Sequence, residues 1–332
     1  DLSVQAQLFP NLIVKKTKTV IGLVDTPSSN LGHKSRKTKK RTAKVDDGNE
    51  LSDAALVRQV YERAMEDFSK ESPAAEKEKD SSLHVPHLTP QDWDRQVAAS
   101  AGQPEHAVVF LDCRNNYESN VGHFRYPLAR TVLTNTRKFS ELPHVLVEQA
   151  DKLAESTHIF AYCTGGVRCE RATVFLKGLL REKYPDQPLP QIYQLRGGIQ
   201  RYLEHSVSTT TGKLQSSSLY KGKNFVFDPR RVDPLHDVNN SIVGHCLVCQ
   251  TLHDDYDNGH APALDRAARC WNCRVLILVC NQCRPNVSCW GDEETAENDG
   301  TRPRMYCGGP NQPCWHRPPV QVLTDNTSRI DG

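Results

Sequence analysis

Ala161-Tyr162-Cys163-Thr164-Gly165-Gly166-Val167-Arg168-Cys169-Glu170-Arg171-Ala172 decides the fold. An apolar run, His158-Ile159-Phe160-Ala161-Tyr162, ends at Cys163, and a helical pattern runs from Cys169 through Leu180. Between strand and helix lie two glycines and an arginine. Glycines let the backbone curl so that successive N–H groups point inward, and a helix N-terminus adds its partial positive charge behind them. A thiol in such a nest is held as thiolate, with its pKa below the free value of ~8.5. The pattern therefore marks Cys163 as a nucleophile, Arg168 as its fixed cation, and Thr164, Gly165, Gly166, Val167 and Cys169 as the loop that cradles an anion. A buried inert thiol is the common alternative for a cysteine at a strand end; the Gly-Gly pair, the Arg and the strand-to-helix setting together favour function. Cys169 is open between a resolving partner for an oxidised Cys163 and a small first-turn helix residue.

Working outward, Val108-Val109-Phe110-Leu111 and Ile192-Tyr193-Gln194-Leu195 are further apolar runs, and a helical pattern spans Val145 to Leu153. Fully apolar strands alternating with helices indicate a parallel sheet covered on both faces. At Thr89-Pro90-Gln91-Asp92, an N-cap Thr precedes a Pro at the first helical position, so a helix through Trp93 and Val97 opens this domain, residues 86–206. Asp112, Arg114 and Glu118 read as an internal salt-bridge set that positions loops.

Cysteine usage is uneven: nine of the twelve lie from Cys246 onward and none precedes Cys113. Cys246-x-x-Cys249, Cys270-x-x-Cys273 and Cys280-x-x-Cys283 are followed by Cys289, Cys307, Cys314 and His316. Paired Cys-x-x-Cys turns are a strong zinc signal, and four-Cys sites are closed and structural. One or two zinc ions are expected in a module spanning 245–316. The pairing is open: Cys246, Cys249, Cys270 and Cys273 in sequence, or Cys246 and Cys249 crossed to Cys280 and Cys283. No organic cofactor is evident.

The remainder is thinner in apolar residues. The hydrophobic fraction is 37% and mean hydropathy is −0.60, so folded cores are expected between sizeable solvated stretches. Residues 25–85 form a charged linker, with ten Lys/Arg against one acid between Lys15 and Lys44 and one amphipathic helix over 52–68 whose stripe includes Leu56, Val57 and Val60. The basic run 34–44 also fits a nuclear address or a phosphate-contacting arm. Residues 207–244 read as a linker with a short strand at Asn224–Asp228, and 317–332 as a disordered tail. No apolar run approaches the ~18 residues of a membrane span. Net charge is +2 and names no partner. Abundant cysteine without an evenly laced disulfide framework points to a reducing, cytoplasmic setting. The first residue is Asp1, so any upstream targeting signal would be out of view.

Leu111-Asp112-Cys113-Arg114, Tyr117-Glu118 and Gly122-His123-Phe124, then the Cys163 to Arg168 loop and Leu195-Arg196-Gly197-Gly198-Ile199 with Tyr202-Leu203, resemble the motifs of a rhodanese domain. The loop wording, the Phe225-Val226-Phe227-Asp228 segment and the Cys-rich region after it are similar to the oxygen-dependent tRNA uridine hydroxylase family and its eukaryotic rhodanese-like relatives. This resemblance covers residues 8–24 and 87–283. It implies a five-stranded parallel α/β sheet flanked by helices, with residues 1–24 matching the last strand of an N-terminal ferredoxin-like domain. It also implies Cys163 as the catalytic residue, carrying a persulfide in sulfurtransferases. In the hydroxylase branch the substrate would be the wobble uridine of tRNA, with molecular oxygen; otherwise the partners would be a small sulfur donor and acceptor. A non-catalytic zinc-containing adaptor is the remaining reading. Cys-based phosphatases space Cys and Arg one residue further apart, so phosphoryl transfer ranks low.

Overall fold

The computed structural model describes residues 55–60, 62–63, 85–102, 104, 107–206, 218–227, 242–256, 267–292, 302–312, 314 and 319–324. The strand expected within 8–24, the basic run 34–44, Asp228 and His316 lie outside these residues.

Three apolar runs become the middle of the sheet. β1 (His87–Leu88), β2 (Val108–Asp112), β4 (Ala129–Leu133), β5 (His158–Tyr162) and β6 (Gln191–Leu195) pair in the order β1-β6-β5-β2-β4, every pair parallel. β2 is buried along its whole length, as a strand covered on both faces must be. A sixth strand corrects the expected disordered tail. β10 (Gln321–Leu323) lies antiparallel on β4, with Val322 opposite Val132. The physical reason is the open edge of β4, whose unpaired backbone groups a short Val-Gln-Val-Leu segment satisfies.

Helices cover both faces. On one, α3 (Leu142–Glu148), α4 (Ala150–Ala154) and α5 (Val167–Lys183) build a core with Val109, Leu111, Ile159 and Ala161. On the other, α1 (Pro90–Ala99) and α6 (Gly198–Ser206) pack Trp93, Ile199 and Tyr202 on Phe110, Phe124 and Phe160. Thr89 caps α1 as its sequence predicts, its Oγ1 accepting from the Asp92 N–H at 3.2 Å. Residues 55–60 and 62–63 are helical, and the buried Val57 and Val60 join the first core, Val60 against Gly178 of α5. The stripe in the charged linker is thus a docking face.

A second, two-stranded sheet joins β3 (Gly122–Phe124) to β7 (Tyr220–Gly222). The strand expected at Asn224–Asp228 is displaced four residues toward the N-terminus, since Gly222 takes φ +82° and ends the pairing. Phe225 and Phe227 instead turn their rings to Tyr117, which follows β2. The cysteine module packs its own core of Val275, Ile277, Val279, Val287 and Met305 beside two cysteine groups; it includes the short hairpin of β8 (Met305–Tyr306) and β9 (Gly309–Pro310). Among the described residues, no helix is long and apolar enough to cross a membrane.

Candidate functional site

The site is built at the C-terminal ends of β2 and β5, where the crevice of an open α/β sheet lies. β5 delivers Cys163, 1% exposed, directly below the first turn of α5. Gly166 takes φ +87°, a left-handed conformation that glycine adopts freely, and so turns its N–H onto Cys163 Sγ at 3.2 Å. The N–H groups of Arg168 and Cys169 converge on the same sulfur. The Cys163 thiol is held down at about 6, foremost by the thiol hydrogen bond from Cys169, then by the Arg168 charge and these amides, against the opposing pull of burial.

Cys169 is wholly buried and touches both Cys163 and Cys113, a three-thiol chain under the loop. Burial and the neighbouring sulfur push the Cys169 thiol well up, so it stays protonated and donates to the Cys163 thiolate. Sequence left Cys169 between two roles; the geometry adds a third, a hydrogen-bond donor.

Arg168 does not project as an unpaired cation. Its Nη1 and Nη2 donate to Glu118 Oε2 and Oε1 at 2.7 and 2.6 Å, a bidentate pair. Glu118 is fully buried and also accepts from Thr164 Oγ1 at 2.9 Å and from the Asn115 N–H at 3.2 Å. This carboxylate, on the short helix α2 (Asn116–Ser119), was read from sequence as structural; it reaches fifty residues along the chain to fix the loop. Asp112 and Arg114 form the expected internal ion pair, at 2.7 Å with both side chains fully buried, one layer away.

Gly198 holds the loop from below. It takes φ +64°, and a Cβ there would meet the Thr164 and Cys163 carbonyl oxygens at 2.4 and 2.5 Å. With no Cβ, α6 approaches closely enough for Ile199 N–H to donate to Cys163 O and Gln200 N–H to Thr164 O, both at 3.0 Å. The Arg-Gly-Gly-Ile motif therefore braces the loop. On the outer rim, Val167 is 49% exposed and Phe227 is 66% exposed.

The cysteine module places eight thiols in two groups of four: Cys246, Cys249, Cys280 and Cys283, and Cys270, Cys273, Cys307 and Cys314. Within each, all four Sγ atoms lie within 4.8 Å of one another. The crossed alternative is the one realised. Leu247 N–H donates to Leu278 O at 2.9 Å and Cys280 N–H to Cys246 Sγ at 3.3 Å, which brings the third knuckle onto the first. Sulfur separations of 3.7 Å (Cys249–Cys280 and Cys270–Cys314) and 3.6 Å (Cys307–Cys314) match the ~3.8 Å edge of a tetrahedron with ~2.3 Å metal–sulfur bonds. Both donor sets fit a closed, tetrahedral metal site. Cys289 belongs to neither: it is buried in the module core, its N–H bonded to Asp292 Oδ2 at 2.6 Å.

The rhodanese-like domain model matches residues 95–205, and the model described as Rhodanase C-terminal matches 221–291. Over 260 residues the chain is 30% identical to the tRNA uridine(34) hydroxylase of Chlamydia abortus, covering 76% of this chain and 68% of that protein. The chain belongs to the rhodanese-like family. Within that family it is also 31% identical over 244 residues to the tRNA uridine(34) hydroxylase of Chlamydia pneumoniae, covering 70% of this chain and 62% of that one. With Rhodanese-like domain-containing protein 6 of Arabidopsis thaliana, identity is 34% over 199 residues, 60% of this chain and 30% of the plant protein. This rhodanese-like chain thus spans less than two thirds of the last two relatives. Among solved structures, the As-Sb reductase from Leishmania major aligns at 15% identity and TM-score 0.30, over 45% of this chain and 90% of that one.

Proposed function

We propose that this rhodanese-like chain is a Cys163-dependent enzyme that modifies a uridine of tRNA, with Cys163 and Arg168 at the reacting centre and the loop Thr164 to Cys169 as the anion cradle. The observation that carries this reading is a buried sulfur held at about 6 by the Cys169 thiol, the Arg168 charge and converging N–H groups, in a chain that matches the rhodanese-like and Rhodanase C-terminal models and is 30% identical to a tRNA uridine(34) hydroxylase. Cys163 is the nucleophile. Arg168, fixed by Glu118, positions the loop and stabilises its negative charge. In a uridine hydroxylation one atom of molecular oxygen enters the uracil C–H bond and the other leaves as water, the two electrons and two protons coming from a thiol pair in solution that is oxidised to its disulfide. The two four-Cys groups hold structural zinc, whose closed coordination leaves no position for substrate. A tRNA substrate and cysteines joined by no disulfide fit a reducing, cytoplasmic setting.

The nest also favours a second reading, sulfur transfer. The Cys163 thiolate attacks the sulfane sulfur of thiosulfate; sulfite leaves with the S–S bonding pair, and Cys163 becomes a persulfide whose outer sulfur passes to a thiol or to cyanide.

The test is nucleoside mass spectrometry of tRNA from cells lacking this protein, rescued with wild type or with Cys163→Ser. Uridine hydroxylation is expected to disappear on deletion and to return only with wild type. Unchanged modification in the deletion would overturn the tRNA reading, and cyanide-dependent thiosulfate turnover that vanishes with Cys163→Ser would then establish the second.

A further inference from the structure

Phe227 is the most exposed large apolar side chain among the described residues, at 66%, and it stands at the catalytic loop. Its ring is not loose. It meets Phe225 at 5.5 Å and 80°, and Tyr117 at 6.4 Å and 85°. Phe225 is buried and stands edge-on to Tyr117 and Tyr256, and the Tyr256 hydroxyl donates to the Tyr117 carbonyl at 2.7 Å. Two aromatic rings, Phe225 and Tyr117, thus flank Phe227, and Tyr256 backs Phe225. The Arg168 guanidinium carbon lies 5.7 Å from the centroid of the Phe227 ring and covers one face. Two thirds of the residue is exposed, so much of the ring meets solvent.

The surroundings define what that face suits. Arg168 is bidentate to Glu118, so its charge is already matched. Val167 is half-exposed, and beside Gly165 a Cβ would find nothing within 4 Å, so the loop mouth is open there. A small inorganic anion gains nothing from an apolar aromatic rim. A planar, uncharged ring gains a stacking surface beside Arg168 of the catalytic loop, because every base has a π-face.

We propose that Phe227 is the platform on which the target uracil base stacks when it is presented to Cys163. This rests on the tRNA reading above and adds the residue that receives the base. Stacking draws the base out of the RNA strand and lays it over the loop, and the Arg168–Phe227 contact keeps the platform in register with the sulfur.

The experiment measures binding of a fluorescently labelled anticodon stem-loop RNA to the full chain. The proteins are wild type, Phe227→Trp, Phe227→Leu and Phe227→Ala, each with an RNA carrying uridine or an abasic residue at the target position. Phe227→Trp is expected to bind like wild type. Phe227→Leu and Phe227→Ala are expected to bind the uridine RNA roughly 5- to 150-fold more weakly, the range of one lost base–aromatic stack. The abasic RNA is expected to weaken wild type by a similar factor and to weaken Phe227→Ala no further, the non-additivity of a direct contact. Equal binding by Phe227→Ala, full rescue by Phe227→Leu, or additive losses in the cycle would overturn the platform alone. No RNA binding by wild type would overturn it together with the tRNA reading.

Discussion

The hydrogen bond from Cys169 to Cys163 sets the reactivity of the site, and Cys169→Ala removes it with little change of volume. Cys163 lies at about 6 against a free value of ~8.5, a stabilisation of the thiolate by about 3 kcal/mol in total. A hydrogen bond to a charged group contributes ~1.5–3 kcal/mol, so its loss moves Cys163 up by ~1–2 pKa units, to between roughly 7 and 8. At pH 7 the thiolate fraction then falls from ~90% to between roughly 50% and 10%. Thiolates of higher pKa are intrinsically more nucleophilic, which offsets part of the loss in rate; the midpoint of the pH profile is therefore the readout. The assay follows alkylation by iodoacetamide at residue 163 by mass spectrometry from pH 5 to 10. Wild type inflects near 6, Cys169→Ala one to two units higher, and Cys169→Ser near wild type, because its hydroxyl also donates. The stability consequence has the same sign. With a folded-state pKa below the unfolded ~8.5, ionisation of Cys163 stabilises the fold fully above that value, and the contribution is lost as pH falls through about 6. A Cys169→Ala profile that still inflects near 6 would show that the loop amides and Arg168 hold the thiolate without the neighbouring thiol.

Two further perturbations test the frame around the sulfur and the cysteine module. Gly198→Ala forces a Cβ against two backbone oxygens at a φ of +64°; it is expected to destabilise the chain by roughly 2–5 kcal/mol, lowering Tm in thermal melting, and to raise the Cys163 midpoint, and an unchanged midpoint would separate α6 from the loop. Elemental analysis is expected to find two zinc ions per chain in wild type and in Cys289→Ser, and one in Cys283→Ser or Cys307→Ser; two ions in either of the last variants would break the four-Cys assignment.

The parts of the molecule that sequence makes legible are those whose cause is local. β2 and β5 read as strands because both faces of each are covered along nearly all their length, which leaves an almost unbroken apolar run. Thr89-Pro90 reads as a helix start because cap chemistry is settled within one turn. The loop reads as an anion nest because glycine spacing governs its amides. What sequence leaves open is settled at long range. The two Cys-x-x-Cys turns nearest in sequence do not share a site: the chain 275–279 runs through the module core and returns Cys280 and Cys283 to the first knuckle. The alternation in Val320-Gln321-Val322-Leu323 is a strand signal, yet only the free edge of β4 turns it into a strand. The Phe225–Asp228 segment stands out in sequence, but not the place of Phe227 at the loop, since that is set by Tyr117 and Arg168, far off in the chain.

Glu118 joins these lines. A bare Arg168 beside Cys163 would make the rim cationic and favour any small anion. Instead a fully buried carboxylate takes both guanidinium branches and the Thr164 hydroxyl, spending the charge inside the wall of the loop. Removing one partner of such a pair leaves an uncompensated charge and costs ~3–5 kcal/mol, so the pair holds Arg168 in a single orientation. The thiolate takes its stabilisation from the Cys169 thiol, the Glu118-fixed Arg168 and the loop N–H groups, which act at short range within the loop and leave no unpaired charge on Arg168 at the mouth. Chemistry and recognition are thereby separated: a depressed sulfur sits within, and outside it lies an apolar, aromatic rim of Val167 and Phe227. That division suits a reaction on a neutral planar ring better than one on a small diffusible anion, and it is the physical ground for ranking uridine above thiosulfate as the substrate of Cys163.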